Sequence, residues 1–496
     1  MKKNIFYHST RGNKEKKLSS EAIVYGIADD GGLFIPTEIP KIKMDYNQLK
    51  ELDYNELAYR IMREYFTDFS EIELKYCIVK AYNEKFDVNI IAPLEKKMGM
   101  YFLELFHGPT LAFKDMALSI LPHLLQIALK KLNLKKEIII LTATSGDTGK
   151  AALEGFANVP GTKIIVFFPQ EGVSEIQKRQ MLTQKGENTH VIGISGNFDD
   201  AQRGVKEIFD NQIFKDKVKK RNMILSSANS INIGRLIPQV VYYFYAYLKM
   251  LKENDIKAGE KINIVVPTGN FGNILAAYYA GEMGLPINKL ICASNDNRVL
   301  TDFFKTGIYD RRRELIKTIS PSMDILISSN LERLLSIACH GEADRVNKIL
   351  NDLSEKGFYK ISLDMKKEFS DFYGECASQK EAVQSIREVF KGSEYLMDPH
   401  TAVGHAVYKK YLSETKDSTK TVIVATASPF KFTKSVMGAI DEKYKKFDDF
   451  ELIEKMANLL KNHIPIGIKN IKKKSVLHKT VCNKEKMKEK LAEILF

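Results

Sequence analysis

Cysteine is scarce in this 496-residue chain: five residues, an odd number, with no Cys-x-x-Cys pair. A disulfide framework and a zinc knuckle are both excluded as organising devices, and the pattern fits a reducing cytoplasm. The nine histidines supply no pair at metal-ligand spacing, so no metal is expected; His400 and His405 are five apart, with Pro399 and Gly404 beside them. No signal peptide is read at the start, because Met1-Lys-Lys-Asn-Ile-Phe6 runs into charged residues. The longest apolar run, Val240 to Leu248, has nine residues, far short of the roughly 20 that span a bilayer, so no membrane is expected. Internal repeats and low-complexity linkers are also missing.

What is present is the composition of an ordinary globular protein, 44% hydrophobic and 28% charged, with length enough for two or three domains. The net charge of +13 raises the question of nucleic acid. The basic residues are scattered, with short clusters such as Lys217 to Arg221 and Lys472 to Lys474 and no interleaved aromatic stripe. A lysine-rich solvated surface accounts for the charge, and no nucleic-acid partner is expected.

The first 95 residues read as a helical unit, with apolar residues at helical spacing from Tyr46 to Tyr65 and from Glu71 to Lys85. Gly31-Gly-Leu-Phe-Ile-Pro36 before them reads as a turn into a short extended piece. From about 96 the pattern alternates between strand and helix. Strands are expected at 137–144, 163–168, 190–194, 223–226, 261–266 and 289–293, with helices from Lys150 and from a capping box at Ser174 and Gln177. Buried strands joined by helices imply a parallel sheet covered on both faces, with ligands at the carboxyl ends of its strands. Residues 320–395 read as mostly charged and helical, a further strand is expected at 421–426, and the basic segment 451–496 ends in a helix from Lys484.

Three loops directly follow strands. Thr144-Ser-Gly-Asp-Thr-Gly149 lets backbone approach a ligand; it lacks P-loop spacing and has Ala151 where Ser or Thr is required. Pro267-Thr-Gly-Asn-Phe-Gly-Asn273 combines two glycines, which permit a nest of N–H groups, with two asparagine donors, and suits a phosphate monoester. Ala425-Thr-Ala-Ser-Pro-Phe-Lys431 sets Thr426 at a strand end, where it either serves a pocket or is satisfied by backbone. A fourth feature is Lys114, followed by Met116, Leu118, Ile120, Leu121, Leu124 and Leu125 on a long apolar helix. Desolvation there lowers an ammonium pKa and leaves a nucleophilic amine; snorkelling to the surface is the competing account. A buried lysine, a phosphate nest and a strand-end hydroxyl are together the three anchors of an aldehyde-phosphate cofactor, pyridoxal phosphate. A hydroxyl facing the pyridine nitrogen favours elimination and replacement chemistry over transamination.

His107-Gly-Pro-Thr-Leu-Ala-Phe-Lys-Asp115, Ser145-Gly-Asp-Thr-Gly149, Asn229-Ser-Ile-Asn232 and Gly269-Asn-Phe-Gly-Asn273 together resemble threonine synthases, in the longer form of enteric bacteria and fungi. The likeness runs from Tyr7-His-Ser-Thr-Arg11 to the basic tail. It implies a fold type II pyridoxal-phosphate enzyme, similar to the tryptophan synthase β chain. Two α/β domains with parallel-rich sheets would occupy 96–450, after an N-terminal domain at 1–95 and before a C-terminal segment at 451–496 packed on the core. The resemblance makes Lys114 the lysine that holds the cofactor. Gly269, Asn270, Phe271, Gly272 and Asn273 become the phosphate cup, and Thr426 the partner of the pyridine nitrogen. Ser145, Asp147 and Thr148 would hold the substrate carboxylate, and Asn229, Asn232 and Arg235 would lie near the substrate phosphate. One departure is Ser428, where the family usually has His. The implied reaction converts O-phospho-L-homoserine and water to L-threonine and phosphate, in a monomer or homodimer. The alternative on the same scaffold is a phospho-lyase releasing 2-oxobutyrate, ammonia and phosphate.

Overall fold

Strand and helix alternate as the pattern predicts, but the strands divide between two sheets. In the computed structural model, which describes residues 4–43, 45–171 and 173–496, one sheet has five parallel strands. Their order is Val481–Asn483, Thr189–Ser195, Thr162–Pro169, Glu137–Ala143, Met223–Ser226. The other has six, in the order Phe372–Cys376, Ile287–Ser294, Ile262–Pro267, Thr421–Ala425, Met100–Glu104, Leu94–Lys97. All neighbours in it are parallel except the hairpin pair Leu94–Lys97 and Met100–Glu104. The fold is the mixed α/β, fold type II architecture that the resemblance implies.

Several expectations need correction. The helix read from Tyr46 to Tyr65 is two helices, Tyr46–Leu49 and Tyr54–Tyr65. The break falls at Asp53, which caps the second helix reciprocally with Glu56, an arrangement that contributes about 1 kcal/mol and outcompetes continuation. The helix expected from Lys150 begins at Asp147. The long apolar helix after Lys114 is also two pieces, Asp115–Leu118 and Leu121–Lys131. Pro122 lies in the first turn of the second piece and has no N–H, so the Leu118 carbonyl loses its partner four residues on. Gly155 packs against that carbonyl, where a Cβ would meet it at 2.2 Å. Within 320–395, expected to be helical, Phe358–Lys360 and Phe372–Cys376 are strands. The second forms an edge of the six-stranded sheet, and its short Phe-Tyr-Gly-Glu-Cys run carries too little periodicity to announce itself.

The extended piece Phe34–Pro36 pairs antiparallel with Tyr7–Ser9. The N-terminal helices share one core with the rest: Ile23, Leu57, Ile61 and Tyr65 pack in the same cluster as Tyr243, Tyr279, Ile264 and Val424. At its centre lies Ile233–Lys252, buried on nearly every face, as a helix apolar all round must be. The tail strand Val481–Asn483 extends the five-stranded sheet, and the helix Met487–Leu495 packs beneath it. Among the described residues, no helix is long and apolar enough to cross a membrane.

Candidate active site

The carboxyl ends of the two sheets face one another across Lys114. The loop that carries it is bonded to the loop after the strand Thr421–Ala425: Leu105 N–H donates to Ala425 O at 3.0 Å, Phe113 N–H to Thr426 O at 2.8 Å and Ser428 N–H to Leu111 O at 3.0 Å. Two loops distant in sequence are thereby held as one surface, with Thr426 beside the Lys114 backbone. Lys114 is 8% exposed, and its Nζ donates to Asp147 Oδ2 and to Ser322 Oγ, each at 3.3 Å. Burial lowers its pKa, the neighbouring charges of Lys431 and Arg235 lower it further, and Asp147 works the other way. Lys114 is thus buried, as its apolar sequence context predicts, and paired with a carboxylate the sequence did not link to it.

Asp147 is the hub of this cluster. Its Oδ1 accepts Lys431 Nζ at 2.5 Å and Gln177 Nε2 at 2.7 Å, and its Oδ2 accepts the Ser322 hydroxyl at 3.1 Å. Burial opposes its charge, but Lys431 and Lys114 outweigh burial and hold the carboxyl well below its usual range. An ionised carboxylate between two lysines holds cations and repels a second carboxylate. Ser145 and Thr148, on either side of it in the loop, are half-buried.

Lys431 was missed in the sequence. Its side chain is wholly buried and also donates to Thr110 O at 2.8 Å. Thr110 in turn donates its N–H and hydroxyl to Asp115, at 2.8 and 2.5 Å, and burial pushes that carboxyl up to about 6. The available signal was the one that singled out Lys114: a lysine among apolar neighbours, here Phe430 and Phe432. Ser428 acts locally, its Oγ accepting the Phe430 N–H at 3.4 Å in the turn that delivers Lys431.

The second loop is built differently. Phe271 adopts a left-handed φ of 64° immediately before the helix Gly272–Glu282, a conformation costly for a bulky side chain. Its ring is held in a stack with Phe304 and Phe372, at centroid distances of 6.0 and 5.9 Å. The chain thus turns so that the first N–H groups of the helix, which have no intrahelical acceptor, open toward the end of the strand. Ser328 Oγ donates to Gly269 O at 2.7 Å, and Asn330 donates its N–H and Nδ2 to Asn270 O at 3.1 and 2.9 Å. Behind Asn330, the fully buried Arg333 donates to Asn330 Oδ1, to Ile231 O and to Phe34 O, joining the loop to the N-terminal strand. Asn273 Oδ1 accepts hydroxyls from Tyr242 at 2.7 Å and from Tyr243. The Asn273 Nδ2 is buried with no partner among the described residues. At Gly269 a Cβ would lie 2.5 Å from Ser322 O, so only glycine allows that turn to close on the loop. An unpaired buried amide donor, free helix N-terminal N–H groups and a buried amine fit an anionic phosphate and an aldehyde carbon, which are the two ends of pyridoxal phosphate.

The remaining sequence candidates separate by what their side chains already bind. Asn232 accepts the Gly234 N–H at 2.9 Å as a helix cap and donates to Ile23 O at 3.0 Å. Asn229 is half-buried; its N–H donates to Ser227 Oγ at 3.1 Å, and its carbonyl accepts the Asn232 N–H. Arg235 is 3% exposed, donates Nη1 to Ala228 O at 2.8 Å, and keeps a buried Nε with no partner among the described residues. Burial pulls its pKa down to about 10, which leaves it cationic at neutral pH.

Comparison with known proteins bears on the family and the fold. Residues 6–82 match the family description "Threonine synthase N terminus", 91–427 "Pyridoxal-phosphate dependent enzyme" and 401–478 "Threonine synthase, C-terminal". The chain is 40% identical to threonine synthase-like 1 of Pongo abelii over 86% of its own length, and spans only 59% of that longer protein. It is 37% identical to threonine synthase of Saccharomyces cerevisiae, covering 88% of this chain and 89% of that one. The crystal structure of a PLP-bound threonine synthase from Brucella melitensis superposes with a TM-score of 0.86 at 34% identity, over 99% of this chain and 98% of that one. With Lys114 and Gly269 both packed against Ser322, and family matches along most of its length, the chain belongs to the threonine synthase family of pyridoxal-phosphate-dependent enzymes.

Proposed function

We propose that the protein is a threonine synthase that converts O-phospho-L-homoserine and water to L-threonine and phosphate. The observation that carries this reading is Lys114: a buried amine bonded to one carboxylate and to the Ser322 hydroxyl, with the uncharged 269–273 loop, whose helix has no side-chain N-cap, closing on the same Ser322 turn. Lys114 Nζ would hold the cofactor's aldehyde carbon, the first N–H groups of Gly272–Glu282 and the Asn273 amide its phosphate, and Thr426 the pyridine nitrogen. Bound there, pyridoxal phosphate supplies an electron sink for negative charge developing at the substrate carbons.

The protein's own residues then divide the work. Lys114 Nζ removes and returns protons at the substrate carbons, which requires an amine pKa drawn down toward neutrality, the direction burial gives it. Asp147 keeps that amine in place and serves Lys431 as counter-ion as well. Arg235, a buried cation with an unpaired Nε, is the candidate for the substrate phosphate, and Asn229 lies one turn before its helix. The substrate carboxylate falls to the Ser145 and Thr148 hydroxyls, with Asp147 setting the charge around them. Water must be excluded while Lys114 moves protons at the substrate carbons and admitted later, so closure on substrate is expected. The five cysteines are unbonded, in keeping with a cytoplasmic biosynthetic enzyme.

The phospho-lyase alternative shares every cofactor residue; the relatives named threonine synthase support the synthase. The test is a visible spectrum of the purified protein before and after O-phospho-L-homoserine, with products assayed in the same tube. A shifting band with threonine and phosphate in equal amounts is expected. Phosphate with 2-oxobutyrate in place of threonine would establish the lyase, and no band after supplying pyridoxal phosphate would overturn the role of Lys114.

A further inference from the structure

The turn Pro321–Met323 has been given no role of its own above, yet Ser322 touches four pieces of the cleft at once. Its hydroxyl accepts from Lys114 Nζ at 3.3 Å and donates to Asp147 Oδ2 at 3.1 Å. Its carbonyl oxygen occupies the space that a Cβ at Gly269 would need. Its N–H donates to His400 Nε2 at 3.2 Å. His400 Nδ1 is 2.7 Å from Asp398 Oδ1, and the same oxygen accepts the His400 N–H at 2.8 Å, at the start of the helix Pro399–Thr415. Facing a backbone N–H on one side and a carboxylate on the other, the ring is assigned with its proton on Nδ1 and an acceptor lone pair on Nε2. Phe432 closes the ring in, edge to face at 5.0 Å. On the far side of the turn, Asn295 Nδ2 donates to Ser320 Oγ at 3.0 Å and to Asp324 Oδ1 at 2.7 Å, and the Thr318 N–H donates to Asp324 Oδ2 at 2.9 Å. A buried frame therefore delivers one hydroxyl to one amine.

The chemistry of that amine gives the contact a purpose. A neutral lysine amine has two N–H bonds and one lone pair, on a stem with about 2 kcal/mol of rotamer entropy. Asp147 alone fixes one N–H and leaves the amine free to rotate about it. With Asp147 Oδ2 and Ser322 Oγ taking both N–H bonds, the lone pair has a single remaining direction. We propose that Ser322 is a positioning residue that aims the lone pair of Lys114, and that Asp398 and His400 hold Ser322 in place through its N–H. This rests on the reading of Lys114 as the cofactor lysine and the proton-transfer base.

The test uses the cofactor-loaded enzyme and three single variants, Ser322→Ala, Ser322→Thr and His400→Phe, with the double variant Ser322→Ala/His400→Phe. Wild type must first show the visible band of the lysine-bound cofactor; if it does not, the reading of Lys114 falls and this inference with it. With the band present, Ser322→Ala is expected to keep the band and a wild-type KM and to lose about 10- to 100-fold in kcat, the scale of a misaimed proton-transfer group. Stripped of cofactor, it should also regain the band more slowly than wild type on adding pyridoxal phosphate, because the same lone pair attacks the aldehyde. Ser322→Thr should restore most of both rates. The double variant should lose no more than the worse single variant, since both act on one amine. A Ser322→Ala enzyme with wild-type kcat and band recovery would overturn the inference while leaving Lys114 untouched. Multiplying losses in the double variant would overturn the link through His400.

Discussion

The loops Thr144–Gly149 and Pro267–Asn273 occupy equivalent places, each running from a strand's carboxyl end into a helix, one in each sheet. They solve opposite problems. The first buries a full negative charge, Asp147, and holds two lysines with it. The second buries no formal charge; it offers backbone N–H groups, an amide and a ring-clamped backbone turn. A carboxylate in the second loop would repel a phosphate, and an uncharged residue at 147 would leave two lysines facing each other without a counter-ion. The first loop thus supplies the counter-charge for two lysines, and the second offers uncharged donors suited to the cofactor's phosphate.

Variants can break or sharpen this division. Lys114→Ala should have the largest effect: no visible band on adding pyridoxal phosphate and no detectable turnover, because the other amine on Asp147, Lys431, is already committed to Asp147 Oδ1 and Thr110 O. Next is Asp147→Asn, which leaves the wholly buried Lys431 without its counter-ion. Denaturant unfolding should report a loss of about 3–5 kcal/mol, and adding Lys431→Met should recover part of it. If Asp147→Asn unfolded like wild type, the charged side of the comparison would fail.

On the uncharged side, Gly269→Ala drives a Cβ to 2.5 Å from the Ser322 carbonyl, and backbone must move to admit it. A spectroscopic titration should show pyridoxal phosphate binding weakened by about 1–3 kcal/mol, with the fold kept. Tyr243→Phe removes one of two hydroxyls on Asn273 Oδ1 and should weaken the same binding by about 1 kcal/mol. Equal effects from the two would mean that the loop is held by its amide rather than by the approach of the turn.

The gentlest test concerns the segment leading to Lys114. His107 lies between Asp87 and Glu104, 2.8 Å from each. Burial acts against its charge, but hydrogen bonds to the two carboxylates prevail and push its pKa up to about 9. Because the folded value lies above the unfolded one, the stabilisation is complete below about pH 6.5 and disappears as pH rises through about 9. Melting temperature should therefore fall across that window, and His107→Gln should flatten the fall. An unchanged slope in His107→Gln would assign the loss to other groups.

Much of this was legible along the chain. Strand positions in the alternating stretch follow from runs such as Glu137 to Ala143 and Ile262 to Pro267, whose apolar continuity has one stable destination, a sheet covered on both faces. Lys114 and the 269–273 loop were visible because each breaks a local rule: a lysine heads an apolar helix, and two glycines and two asparagines crowd a turn. The edge strand Phe372–Cys376 was not visible, since its three aromatic and apolar residues matter only through the neighbouring strand and the Phe271 ring they meet.

The sequence by itself determined the class of fold and the cofactor chemistry, and singled out Lys114 and the 269–273 loop as candidates, because these depend on local periodicity and on residue types at adjacent positions. Tertiary structure alone decided which charges meet. Asp147, Lys431, Ser322 and His400 lie far apart in the chain, and each has a bland reading in its own segment. Their roles come from distances set by two sheets facing each other, and no pattern within a single segment encodes a distance to another.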